Sequence, residues 1–120
     1  MKTLLKKCDD LWTLIIKERA GFKSELSGKE GKVIGGDAIL HAHHIVRKPN
    51  YRLRFELDNG ICLTAWEHRY GIHGDYEEEY REKIKKVKGR DIYERMSLLR
   101  RIGKTDLQLI KIYLEQELKK

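Results

Sequence analysis

The segment HAHHIV, His41 to Val46, sets three imidazoles in four residues of what reads as a strand, and all five histidines of the chain fall between His41 and His73. Adjacent residues of a straight strand point to opposite faces. His43 and His44 can therefore serve one site only at a strand end or a bulge, and the strand is expected to end near His44. Histidine is a common ligand for divalent metals and changes protonation readily near neutral pH, so the cluster suggests a metal site, a general base, or both. A lone histidine in a strand is more often a hydrogen-bonded filler, but five in one window weaken that reading.

The rest of the chain limits what such a site can belong to. At 120 residues there is room for one domain and one modest core. With 40% hydrophobic and 38% charged residues, and no apolar run near the ~20 residues of a membrane span, no membrane association is expected. The apolar run in MKTLLKKCDD breaks after two leucines, too short for a secretory signal, so a cytoplasmic location is expected. Cys8 and Cys62, the two cysteines, read as small buried thiols rather than a disulfide framework. A net charge of +7 and a pI near 9.4 favour polyanionic partners, through release of counterions condensed on phosphates.

Apolar residues Leu4, Cys8, Leu11, Trp12, Ile15 and Ile16 recur at helical spacing and predict a helix over Thr3 to Arg19. The glycine-rich stretch from Phe22 to Asp37 reads as loop, short strand and a turn at Gly35-Gly36. Strands are expected over Ala38 to Val46 and Gly60 to Thr64. Between them, Arg52 and Arg54 alternate with Leu53 and Phe55, a period of two that would set both guanidinium groups on one face to track a phosphate backbone. AWEHRYG reads as a short helix stopped by Gly71. Helices follow over Asp75 to Lys88, with i to i+4 pairs Glu79 with Lys83 and Glu82 with Lys86, and over Asp91 to Ile102. A last helix is capped by Thr105, with Gln108 in the capping-box position. The run Glu77-Glu78-Glu79 reads as a solvated face. The stripe Leu107, Ile110, Leu114 and Leu118 reads as core, with a homodimer seam as the alternative.

The order AHHIV, DNGICL and EHRYGIH, spread over about Ser24 to His73, resembles the signature of the HNH endonucleases, and the flanking helices resemble those of small phage-type members. The resemblance implies an α+β protein with a ββα-metal (His-Me finger) core over about 22–74, an N-terminal helix, and a C-terminal helical extension over about 75–120. It implies His44 as general base, Asn59 as holder of the loop that orients the base, and His43, His68 and His73 as metal ligands. Arg69 would reach a phosphate oxygen. His41 has no assigned role, though strand geometry puts it on the face of His43. His68 and His73 lie five residues apart and can share a face only if the chain turns at Gly71.

Many family members carry two C-x-x-C pairs that bind a structural zinc. The corresponding places here read Ser24-Glu25-Leu26-Ser27-Gly28 and Thr64-Ala65-Trp66-Glu67-His68, so no structural zinc is expected. Packing by Trp66 and Phe22 is expected to replace that cross-link. The implied activity is metal-dependent hydrolysis of DNA phosphodiester bonds with one divalent cation: Mg²⁺ or Mn²⁺ first, and Ni²⁺, Co²⁺ or Zn²⁺ accepted by imidazole ligands. No sequence-reading module is recognisable, so low base specificity or specificity for DNA structure is expected. The alternative is a nucleic-acid-binding module that keeps the scaffold without cutting.

Overall fold

Helix α1 (Leu4–Arg19) starts at Thr3, whose hydroxyl accepts from the Lys6 backbone N–H at 3.1 Å. Lys17 and Arg19 stand in its last turn, where positive charge suits the helix dipole. Its buried side is Cys8, Trp12, Ile15 and Ile16, four of the six residues marked by the periodicity, while Leu4 and Leu11 are half-buried. The structure, a computed structural model, describes residues 2–30, 39–46, 51–99 and 106–120. The Gly35-Gly36 turn with its short strand, and the predicted helix end at Ile102, lie outside the described residues.

Strands β1 (Leu40–His44) and β2 (Gly60–Thr64) pair antiparallel, with Leu40 opposite Thr64 and His44 opposite Gly60. β1 ends at His44, where its end was expected. A two-stranded ribbon is marginal by itself in water, and here both of its faces are covered. Cys62 and Leu40 join Trp12, Ile16, Phe55, Ile110 and Leu114 in one core. Ile61 and Leu63 join Ile45, Leu53, Ile84, Ile92 and Met96 in another. The sheet is thus a septum, with α1 and α5 (Leu107–Leu118) on one side and α3 (Glu77–Lys88) and α4 (Ile92–Leu99) on the other. That is why β2 is buried along its whole length. The architecture is α+β, and among the described residues no helix is long and apolar enough to cross a membrane.

At Gly60 the side chains of α1 pack directly on the sheet backbone. A Cβ there would collide with the Ile16 side chain and come within 2.8 Å of the Trp12 ring. Glycine is the residue that lets Trp12 reach the end of β1.

Several expectations are corrected. Arg52 to Phe55 is not extended: Tyr51–Arg54 forms one helical turn, α2, so Arg52 and Arg54 do not share a face. The apolar alternation arises because Leu53 enters one core while Phe55 and Leu57 enter the other as the chain crosses between them. The short helix after β2 does not stop at Gly71. It continues as a π-helical turn over Glu67–Ile72, with the His73 N–H donating to the His68 carbonyl at 3.3 Å. Gly71 is needed because a Cβ would lie 2.9 Å from the Tyr80 ring. Glu82 pairs with Lys85 at 3.2 Å rather than with Lys86, whereas Glu79 meets Lys83 at 3.4 Å as expected. Thr105 lies outside the described residues, and α5 is capped by Asp106, whose carboxylate accepts from the Gln108 N–H at 2.7 Å. The stripe on α5 is core: Ile110 and Leu114 are buried, and Leu107 and Leu118 pack beside them.

Candidate functional site

The odd-numbered face of β1 carries His41 and His43, and the π turn brings His68 and His73 over it. In an α-helix residues five apart diverge by about 140°, whereas a hydrogen bond spanning five residues stacks them, and the two rings lie 4.9 Å apart. His43 sits 4.8 Å from the His68 ring and 5.6 Å from that of His73. One nitrogen from each of His43, His68 and His73 lies within 4.8 Å of the others, a cluster that could hold a metal ion.

Burial, and then the neighbouring imidazoles, push His43 down to about 3 and His68 down to about 4. Both rings are therefore neutral at physiological pH, the form in which imidazole binds metal. The donor set fits a divalent cation. His41 lies outside this trio and contacts it through His68, Nδ1 to Nδ1 at 3.0 Å.

His44 is built differently. Its ring lies flat on Trp12, centroids 4.0 Å apart and 5° from parallel, and its Nε2 is 2.8 Å from the Arg54 carbonyl. A carbonyl only accepts, so Nε2 carries the proton and, in the neutral ring, Nδ1 carries the lone pair. The acceptor is fixed in turn. Arg54 makes a forked pair with Asp9 of α1, Nε to Oδ1 at 2.9 Å and the second nitrogen to Oδ2 at 2.6 Å. Trp12 is held through its indole N–H, which donates to the Glu56 carbonyl at 3.0 Å.

Asn59 is completely buried, and its side chain is spent on backbone groups. Its Nδ2 donates to the carbonyls of Val46 and Leu53, both at 3.1 Å, and its Oδ1 accepts from the Val46 N–H at 2.9 Å. It thus joins the end of β1 to α2, and through α2 to the carbonyl that His44 meets.

His43, His44, His68 and His73 all face one open groove of about 910 Å³, walled by α1 on one side and by Glu77 and Arg81 of α3 on the other. The two adjacent histidines both line it from the end of β1. Of the arginines expected at phosphates, Arg69 is exposed on the π turn. Arg52 is 3.7 Å from Glu56, and Arg54 is committed to Asp9.

The places where the resemblance would put zinc cysteines hold a polar clasp. The Ser24 hydroxyl donates to Glu67 Oε1 at 2.7 Å and accepts the N–H groups of Leu26 and Ser27, both at 3.1 Å. Glu67 Oε1 also accepts the Thr64 N–H at 2.8 Å, while the Thr64 hydroxyl accepts the Glu67 N–H at 3.2 Å, a reciprocal capping box. Ser24, Thr64 and Glu67 are all buried, whereas Phe22 and Trp66 are 50% and 40% exposed. Hydrogen bonds, not those two aromatics, make this link. Cys8 and Cys62 are buried, free thiols.

Sequence reasoning missed Trp12, Asp9 and the clasp. The Thr64-x-x-Glu67 spacing was a readable capping signal, whereas nothing near Trp12 or Asp9 in the sequence pointed to a histidine more than thirty residues away. No protein-family model, curated protein or solved structure matches this chain.

Proposed function

We propose that the chain is a metal-dependent endonuclease of the HNH type, acting on DNA, with β1, β2 and the helical turn after β2 as its ββα-metal core. One observation carries the reading: a three-histidine cluster and a fourth histidine with an assigned tautomer open onto the same groove. His44 takes the proton of the attacking water at Nδ1. The Trp12 face and the Arg54 carbonyl hold its ring at one angle, which limits the reorganisation needed when it becomes charged. A divalent cation on His43, His68 and His73 would neutralise charge at the phosphoryl oxygens and at the departing 3′ oxygen. Arg69 and Arg52 supply cationic contacts for the phosphate backbone. Arg54 acts within the protein, as a support for the base.

Plasmid incubated with the protein and Mg²⁺, Mn²⁺ or Ni²⁺ should give nicked or linear product, suppressed by EDTA. Folded protein that leaves DNA and RNA of every form intact in all these ions, yet binds them, would favour the non-cleaving binding module.

A further inference from the structure

The mechanism above leaves His41 without a task, yet its ring is placed as specifically as those it neighbours. Its Nδ1 is 3.0 Å from His68 Nδ1, and the two rings meet edge to face, 5.2 Å apart at 89°. At that distance one nitrogen carries the shared proton and the other accepts it. The direction of the bond decides what His68 can do. If His41 donates, the Nδ1 lone pair of neutral His68 is consumed and its remaining proton sits on Nε2, so the ring has no lone pair left for a cation. If His68 donates, its Nε2 lone pair remains available.

We propose that His41 is a positioning residue for His68: it accepts the Nδ1 proton, which fixes the His68 tautomer with Nε2 as the metal-binding nitrogen and sets the rotation of the ring. The inference rests on the metal-binding reading of the His43, His68 and His73 cluster. β1 then supplies both a ligand, His43, and, two residues earlier on the same face, the support for the ligand arriving from the π turn. Such outer partners of ligating histidines are commonly carboxylates or backbone carbonyls. A neutral imidazole in that role fixes the tautomer without adding negative charge, so the cation keeps more of its own charge for the phosphate.

The test uses the full chain with His41→Leu, which keeps bulk but removes the acceptor, and His41→Gln, which restores one. Calorimetric titration with Ni²⁺ or Mn²⁺ should show His41→Leu binding about 10- to 100-fold more weakly and His41→Gln binding close to the unaltered protein. Thermal melts in EDTA report whether each variant folds. Nitrogen-15 spectra of the unaltered, metal-free protein should show His68 protonated at Nδ1, a readout that does not depend on any variant folding. His68 protonated at Nε2, or a folded His41→Leu with undiminished metal affinity, would overturn the role of His41 alone. Unaltered protein that binds neither ion would remove the metal reading itself, and this proposal with it.

Discussion

His43 and His44 are neighbours in sequence with opposite environments, and each should fail in its own way when cut back. His44→Ala removes the proton acceptor and should lower single-turnover cleavage by ~10²- to 10⁴-fold with metal affinity retained. His43→Ala should weaken metal binding, with part of the activity recovered at high metal concentration. If calorimetry showed the reverse pattern, the two roles would have to be exchanged. The same residues give metal-free protein a pH signature. His43 faces His68, His73 and His44, and His68 faces His73 and His41, and both are held far below the ordinary value of 6.5. Well above pH 6.5 neither the folded nor the unfolded chain holds a proton at these rings. Between about 6.5 and 4 the unfolded chain binds protons that the folded chain refuses, so stability falls as pH falls, by up to ~1.4 kcal/mol per pH unit for the well-buried His43 and by less for the half-buried, solvent-screened His68. Urea denaturation in chelator at pH 7.5 and pH 5 should show the loss. Equal stability at the two values would mean that the folded chain accepts these protons.

At the scale of elements, the π turn and the clasp decide how the chain after β2 presents its histidines. Glu67 accepts from both Ser24 and the Thr64 backbone, so Glu67→Ala leaves two buried donors without an acceptor. A loss of about 2 to 4 kcal/mol is expected in denaturant melts, and a change within ~0.5 kcal/mol would show the clasp to be dispensable. Because the clasp needs no metal, metal analysis after mild chelation should find no stoichiometric zinc, and the melt should survive chelation. Gly60 tests the other wall. Gly60→Ala should cost about 1 to 3 kcal/mol by overpacking against Ile16 and Trp12. Since Trp12 stacks on His44 and not on the metal cluster, the variant should lose turnover while keeping its metal affinity.

For the whole molecule, the groove exists only when the two cores are assembled on their septum. One side brings Trp12 and Asp9 from α1, the other Glu77 and Arg81 from α3, and the sheet end between them carries the histidines. A cation bound to the folded chain alone should therefore stabilise all of it, by about 2.7 kcal/mol at a concentration a hundred times the dissociation constant. Melting temperature followed against Mn²⁺ or Ni²⁺, and reversed with EDTA, measures this directly. A melting temperature indifferent to both ions would speak against the histidine cluster as a metal centre.

The sequence by itself determined the features whose cause lies within a few residues. The buried stripes of α1 and α5 follow from helical spacing, the end of β1 was expected if both adjacent histidines serve one site, and the α+β class implied by the resemblance agrees with two short strands among helices. Tertiary structure decided what connects distant residues. The alternation from Arg52 to Phe55 was a true pattern with a different cause, since Leu53 and Phe55 enter separate cores on a helical turn. Arg54 is spent on Asp9, 45 residues earlier, Trp12 is held at Glu56, 44 residues later, and Ser24 closes on Glu67 across 43 residues. Periodicity records which face of an element is apolar, but not which element will cover that face. Those pairings arise only when burial brings the faces together, and a buried polar group then takes whichever partner packing has left within reach.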